Sequence, residues 1–285
     1  MLNKVKTYLE LIKFSHTVFA LPFAFASVFM VEKGVPSFDK IFWISLALIF
    51  ARTAGMAFNR YIDLPIDKLN PRTKNWSSVS GKVKPPEIMA IGILSSIAFM
   101  YASYNLNMLA FWLSPVVILL LILYPVGKRF TEYVHLILGL IYFLVPVAVS
   151  IALKGYVEPS MVALGVGMAF WVAGFDILYA LQDYSFDKQY GIYSIPVRFG
   201  IKRALQVARL FHILTFIFIV LSGILSNMGY IYFAGLFILG GFLVYEHSLI
   251  REDDLSKIDK AFFTVNGFVS IIFLLFVVGD IFWRF

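Results

Sequence analysis

Long apolar segments recur along the whole chain, and they restrict its possible folds more than any other feature. A helix that crosses about 30 Å of hydrocarbon needs about 20 mostly apolar residues, and in lipid its backbone polar groups must be paired internally. Nine segments meet this requirement, at roughly 15–31, 40–61, 87–105, 108–126, 133–153, 161–181, 204–225, 228–248 and 261–283. We therefore predict an all-α membrane protein with nine transmembrane helices.

Composition supports this fold class and excludes several functions. Hydrophobic residues make up 60% of the chain and charged residues 14%, whereas soluble domains carry about 25% charged residues. The first apolar segment lacks a small-residue cleavage site, so we expect it to remain in the mature protein. Without cysteine, disulfides, thiolate metal sites and cysteine nucleophiles are excluded. The net charge of +7 is explained by membrane orientation and anionic lipid, so no nucleic-acid partner is expected.

The basic residues predict how the chain is oriented, because Lys and Arg accumulate in cytoplasmic loops. With the amino terminus inside, 19 of the 24 Lys and Arg residues are cytoplasmic. Only Lys33, Lys40, Lys154 and Arg284 fall outside, and Arg52 lies within a span. This asymmetry favours nine spans with an external carboxyl terminus. The two longer polar loops, at about 64–86 and 182–202, then both lie on the cytoplasmic side.

The second apolar segment ends in a stripe of polar side chains. Arg52, Asn59, Asp63 and Asp67 are spaced seven, four and four residues apart, which places them on one face of a helix. Pro65 interrupts this pattern, because proline cannot donate its amide and disfavours helix in the residue before it. We expect the helix to end or kink between the two aspartates.

A second acidic stripe follows 120 residues later. Asp176, Tyr179, Asp183 and Asp187 are spaced three, four and four. Asp176 is the deepest, where an unpaired charge costs about 2.5–3.5 kcal/mol; a structural pair with Arg52 or a water-filled vestibule would offset this cost. The chain is expected to form a single domain, 1–285, with two helical halves at about 1–130 and 131–285.

The ligand types in these stripes suit Mg²⁺. Hard oxygen donors without His or Cys are typical of Mg²⁺ sites, which usually combine one or two carboxylates with substrate phosphates. Two carboxylate clusters on one side of the membrane predict Mg²⁺ ions that bridge to a diphosphate, with basic neighbours neutralising the remaining charge. Arg72, Lys128 and Arg198 lie beside the motifs and are the main candidates.

Three motifs together resemble those of the UbiA superfamily of intramembrane aromatic prenyltransferases. Asn59 to Asp67, continued by Asn70-Pro71-Arg72-Thr73, resembles the first signature of that superfamily. The stretch 176–187, followed by 193–200, resembles the second, and Tyr124-Pro125-Val126-Gly127-Lys128 resembles its short Tyr and Lys element. One position departs from the pattern, since Arg60 stands where many members have a further aspartate.

The resemblance implies a nine-helix bundle around a central cavity, capped on the cytoplasmic side by the two motif loops. It also implies that a polyprenyl diphosphate loses diphosphate and that its allylic carbon attacks an electron-rich ring. By this resemblance Mg²⁺ and diphosphate are held by Asp63, Asp67, Asp183 and Asp187, assisted by Asn59. Lys128, Arg72 and Arg198 would stabilise the departing diphosphate, and Arg52 and Asp176 would border the aromatic acceptor, with Tyr124 and Tyr179 as further substrate-binding residues.

His16 begins the first span and has two interpretations. It is either a contact or base for the acceptor, or an ordinary histidine at a helix start near the membrane interface.

Our leading hypothesis is a Mg²⁺-dependent polyprenyltransferase of the cell (inner) membrane that acts on 4-hydroxybenzoate in ubiquinone or menaquinone biosynthesis. A naphthoate precursor of menaquinone is the alternative acceptor. A cation-coupled transporter is a different class, but transport predicts polar residues towards the external side, where the sequence is almost wholly apolar. A lipid-binding or scaffolding protein is a further, non-catalytic alternative.

Overall fold

Helices are the only regular secondary structure in the part described by the computed structural model, residues 2–13 and 17–283. The helices are α1 (Leu2–Leu11), α2 (Thr17–Glu32), α3 (Phe38–Ile62), α4 (Leu64–Asp67), α5 (Pro85–Leu106), α6 (Met108–Gly127), α7 (Val134–Lys154), α8 (Pro159–Ala180), α9 (Tyr184–Tyr190), α10 (Ile195–Phe199), α11 (Ile201–Leu225), α12 (Tyr230–Leu249) and α13 (Asn266–Phe282). A single 3₁₀ turn, Leu181–Asp183, joins α8 to α9, and a π-helix, Lys260–Val265, leads into α13.

Eight helical segments in the described ranges are long and apolar enough to cross a membrane, and Ala20–Glu32 within α2 is a shorter apolar helix. Each overlaps one predicted segment, and most ends agree to within a few residues; the candidate span that begins at Pro159 continues through α9 to Tyr190, beyond the predicted end at 181. The prediction of an all-α, multi-pass membrane protein is therefore confirmed, and the exact count of nine spans stays a prediction. The sequence patterns did not predict the short helices α1, α4, α9 and α10.

The polar stripe of α3 is interrupted where Pro65 led us to expect it. Helix α3 ends at Ile62, and the amide of Asp63 donates the last hydrogen bond to the carbonyl of Asn59 at 2.9 Å. Helix α4 then begins at Leu64 with proline in its first turn, where a missing amide costs nothing. Asp63 therefore occupies the junction between the two helices.

Helix α8 lies in the most buried part of the bundle. The Trp171 ring is fully buried and lies 4.9 Å from the ring of Phe23 in α2, which lies 4.7 Å from the ring of Phe273 in α13. Helix α7 approaches α8 closely on another side, since a Cβ atom on Gly139 would lie only 2.6 Å from the carbonyl oxygen of Ala169. This packing fixes α8 relative to its neighbours and so fixes the acidic residues near its end.

Candidate active site

A cavity of about 390 Å³ lies between α2, α3, α5, α6, α7 and α8, and we call it the central cavity. Asp63 and Asp183 line one end, the acidic end, whereas Leu106 and Ala152 line the other. Along α3 the lining extends from Asp63 back to Ile44, a distance of about 28 Å at about 1.5 Å per residue. The cavity therefore joins a charged head to a long channel.

The channel beyond the charged end is apolar. Its walls carry Ile44 and Leu48 from α3, Leu113 and Val117 from α6, and Val149 from α7. Such walls offer no hydrogen bonds to a polar ligand and exclude water from whatever they enclose. The channel therefore suits a hydrocarbon chain.

Asp63 is the centre of the first charged cluster. Its Oδ2 accepts a hydrogen bond from Lys128 Nζ at 2.6 Å and a longer one from Asn59 Nδ2 at 3.2 Å. Its Oδ1 is buried and has no hydrogen-bond partner. Burial alone would lower the pKa of Lys128, but the charge and hydrogen bond of Asp63 outweigh it and raise that pKa. Lys128 thus stays protonated beside a carboxylate with one free oxygen.

Asp67 lies one turn further on and is held only loosely. Its Oδ2 is 4.0 Å from a terminal nitrogen of Arg60 and makes no hydrogen bond. Burial raises the pKa of Asp67 to about 6, against the opposing effect of Arg60. The Arg60 guanidinium itself stacks on Trp76, 3.7 Å from the ring centroid. The residue that departs from the family pattern thus supplies a buried cation beside the motif.

The second charged cluster ties the two motif loops together. Arg72 donates from Nε to Asp183 Oδ1 at 2.8 Å and from a terminal nitrogen to Oδ2. Asn70 Nδ2 donates to the same Oδ1 at 2.8 Å, and the Tyr179 hydroxyl accepts from Arg72 at 3.3 Å. Asp187 lines the cavity from α9. Both predicted stripes therefore converge on the acidic end.

Deeper in the cavity, Asp176 has a partner that the sequence reasoning missed. Its Oδ2 lies 2.7 Å from Nδ1 of His135, and the Tyr124 hydroxyl lies 3.4 Å from both carboxylate oxygens. The suggested pair with Arg52 is not among the ion pairs of the described residues; Arg52 lines the same cavity with an unpaired, buried Nε. The sequence does contain a signal that could have identified His135 as a site residue, because it is an ionisable residue within an apolar segment.

One predicted site residue, Arg198, does not join the cluster. Arg198 lies on α10 with its side chain 68% exposed, its Nε is 4.0 Å from Glu132, and it does not line the cavity. Its contact with diphosphate stays a prediction. His16 lies outside the described residues.

The residues present fit a metal ion whose coordination shell is completed by substrate phosphates and water. Within the described ranges, no three His, Cys, Asp or Glu side chains converge to form a ready-made metal cage. Mg²⁺ seldom needs one, because it is usually bound by one or two carboxylates, water and substrate phosphates. The unpaired oxygens of Asp63 and Asp67 are buried acceptors without donors, which is what a cation would satisfy.

An apolar channel that opens from a cluster of carboxylates and cations, all within a membrane bundle, defines a class of protein. It is an integral membrane protein whose cavity suits a long lipid with a charged head group. Comparison with known proteins identifies the family within that class. The UbiA prenyltransferase family profile matches residues 20–272. The chain belongs to the UbiA prenyltransferase family, which confirms the resemblance of its motifs.

Individual relatives agree with this assignment. The chain is 28% identical over 257 residues to a 4-hydroxybenzoate octaprenyltransferase of Pasteurella multocida, a match that covers 90% of this chain and 88% of the relative. An apo UbiA homologue from Aeropyrum pernix superposes with a TM-score of 0.84 at 28% identity, covering 93% of this chain and 98% of that one. A UbiA homologue from Archaeoglobus fulgidus, bound to DMAPP and Mg²⁺, has the same fold, with a TM-score of 0.70 at 20% identity and coverage of 98% and 100%.

Proposed function

We propose that this protein transfers a polyprenyl group from a polyprenyl diphosphate to an aromatic acceptor, 4-hydroxybenzoate, in quinone biosynthesis. The observation that carries the proposal is the central cavity, in which a carboxylate and cation cluster leads directly into an apolar channel about 28 Å long. The two parts match the two parts of a polyprenyl diphosphate. Similarity to the Pasteurella 4-hydroxybenzoate octaprenyltransferase supports 4-hydroxybenzoate as the acceptor.

The acidic end would bind the diphosphate. Its four carboxylates, those of Asp63, Asp67, Asp183 and Asp187, would hold Mg²⁺. The Archaeoglobus homologue is bound to DMAPP and Mg²⁺, which supports Mg²⁺ as the metal. When bound, Mg²⁺ offsets the negative charge that develops on a diphosphate leaving group. Lys128 and Arg72 are fixed by ion pairs before substrate arrives, so they can stabilise the leaving group without reorganisation.

The apolar channel would serve both the substrate and the chemistry. Breaking the bond between C1 and the diphosphate oxygen leaves an allylic cation, which water would quench. Apolar walls close to the cluster, such as Leu121, Leu138 and Phe175, exclude water from the space where that cation forms. The same walls give the long isoprenoid chain an environment like the lipid from which it comes.

The acceptor would bind between the cluster and the channel. Arg52 lines the cavity about three helical turns below Asp63, and its buried Nε lacks a partner. A carboxylate on the acceptor satisfies that donor and its charge. Asp176 and Tyr124 line the same region and face the rest of the ring. The carboxylate of a naphthoate acceptor would bind Arg52 in the same way. Both acceptors are therefore tested side by side in the assay below.

The test uses purified protein in lipid nanodiscs with radiolabelled polyprenyl diphosphate, Mg²⁺ and each acceptor separately. We expect a labelled lipid product with 4-hydroxybenzoate, no product after chelation of Mg²⁺, and loss of product in Asp67→Asn. Asp253→Asn is the matched control, since Asp253 is exposed in the loop before the π-helix. Product with the naphthoate but not with 4-hydroxybenzoate would show that the naphthoate is the acceptor. Absence of product with both would refute the proposed function.

We further propose that the protein lies in the inner membrane with the acidic end facing the cytoplasm, where water-soluble acceptors and Mg²⁺ are available. The absence of cysteine allows single cysteines to be labelled with an impermeant maleimide in intact cells. A cysteine at Tyr156, in the loop between α7 and α8, should react from outside, and one at Lys82 should not. The reverse pattern would overturn the orientation.

A further inference from the structure

His135 lies on the first turn of α7, against the acidic face of α8. Its side chain is only 2% exposed, it lines the central cavity, and its Nδ1 is 2.7 Å from Asp176 Oδ2. A carboxylate only accepts hydrogen bonds, so Nδ1 carries the proton in this contact. The imidazole is therefore a directed donor to one oxygen of Asp176.

The helix packing keeps this contact in register. Gly139 lies one turn after His135, and a Cβ atom there would lie 2.6 Å from the carbonyl oxygen of Ala169. Ala169 lies seven residues before Asp176, on the same face of α8. A close approach of α7 and α8 thus lies about one to two helical turns from the His135–Asp176 contact. A second one, where a Cβ atom on Gly165 would lie 2.6 Å from the Phe143 carbonyl oxygen, leaves little freedom for either helix to slide.

The two oxygens of Asp176 have different surroundings. His135 holds Oδ2 at 2.7 Å, whereas Oδ1 accepts from the Tyr124 hydroxyl at 3.4 Å, close to the limit of a hydrogen bond. The carboxylate side chain remains 13% exposed, in a cavity wall. Oδ1 is therefore available to a donor on a bound ligand.

We propose that His135 is a positioning residue that holds Asp176 so that Oδ1 accepts the hydroxyl proton of the aromatic acceptor. This inference rests on the proposed function. Asp176 takes the hydroxyl proton as the ring carbon beside the hydroxyl bonds to C1, and the C1–O bond breaks with its electron pair leaving on diphosphate. The newly bonded ring carbon then loses its hydrogen as a proton to the diphosphate, which restores the aromatic ring. Asp176 returns its proton to the acceptor oxygen, which becomes a hydroxyl again.

The test compares His135→Gln with wild type on two acceptors, 4-hydroxybenzoate and its 3-fluoro derivative. The fluorinated acceptor has a more acidic hydroxyl and keeps one open ring carbon beside it. We expect kcat of His135→Gln to fall about 10- to 100-fold with 4-hydroxybenzoate, a part of what general base catalysis supplies. The wild-type to variant ratio should shrink with the fluoro acceptor, and KM for the diphosphate should not change.

Two further variants separate positioning from structure. Asp176→Asn should lose at least as much activity, and the double variant should be no worse than Asp176→Asn alone, because the two residues act as one unit. His212→Gln is the matched control, since His212 is also a buried histidine but does not line the cavity. Its ratio to wild type should be the same with both acceptors.

Each outcome decides the inference. A His135→Gln ratio that is equal for both acceptors, or losses that multiply in the double variant, would overturn the positioning role while leaving prenyl transfer intact. No wild-type product with either acceptor would instead refute the proposed function, and the inference with it.

Discussion

Lys128→Met removes the cation that is closest to the first carboxylate cluster. Lys128 Nζ lies 2.6 Å from Asp63 Oδ2, and the two side chains are 27% and 9% exposed. At an effective dielectric constant of about 20, charges at this separation attract by about 6 kcal/mol, before the cost of desolvation is subtracted. Methionine keeps the length of the side chain, so the variant tests charge and hydrogen bonding rather than packing.

Two effects should follow from this change. Loss of a preorganised donor to the leaving group should lower kcat about 10²- to 10³-fold, by analogy with oxyanion-hole donors. Asp63 would also be left with only the 3.2 Å hydrogen bond from Asn59, so the free energy of unfolding should fall by about 1–3 kcal/mol. Mg²⁺ with diphosphate should restore part of that stability, because it supplies the missing positive charge.

The assay combines prenyl transfer with thermal unfolding of the purified protein, with and without Mg²⁺ and diphosphate. Lys154→Met is the control, because Lys154 pairs with Glu32 at 3.8 Å, away from the acidic end. It should leave kcat unchanged. A Lys128→Met variant with wild-type kcat would refute the assignment of Lys128 to the leaving group, whatever its stability.

Three other predictions concern packing, pH and a helix cap. Gly139→Ala should lower the free energy of unfolding by about 1–3 kcal/mol, since the added Cβ would lie 2.6 Å from the Ala169 carbonyl oxygen. Gly241→Ala is the control, because open space surrounds Gly241 and the stability of this variant should not change. Equal melting temperatures of the two variants would contradict the close packing. Burial raises the pKa of Asp67 to about 6, so the protonated carboxyl contributes stability that is fully present below about pH 4 and is lost as the pH rises through about 6. The melting temperature of Asp67→Asn should therefore depend less on pH than that of the wild type. The same pH profile in both proteins would contradict the raised pKa. Asn107→Ala should lower the free energy of unfolding, measured by chemical denaturation, by about 1 kcal/mol, because the Asn107 side chain caps α6 by accepting from the Ala110 amide at 2.8 Å. An unchanged free energy of unfolding would contradict this role of the cap.

Much of the architecture could be predicted from the sequence because bilayer thickness fixes the length of an apolar helix. The predicted segments coincide with the helices to within a few residues, and Pro65 located the break between α3 and α4. Spacings of three, four and seven also predicted two polar stripes, and all eight of their residues line one cavity. These features depend on local chain geometry alone.

The contacts between distant segments could not be predicted in the same way. His135 meets Asp176 because α7 and α8 pack closely at Gly139, and periodicity within one helix carries no information on its neighbour. Arg198 illustrates the opposite case. It lies beside a motif in sequence, but α10 directs it towards Glu132 and solvent.

The central claim is that one cavity holds both the diphosphate and its isoprenoid chain. Photocrosslinking tests it most directly, with a polyprenyl diphosphate that carries a photoreactive group several isoprene units from the head. We expect Mg²⁺-dependent labelling of the channel walls in α6 and α7, near Leu113 and Val149, that unlabelled polyprenyl diphosphate prevents. Specific labelling of α11 to α13 instead, with none in α6 or α7, would contradict the claim.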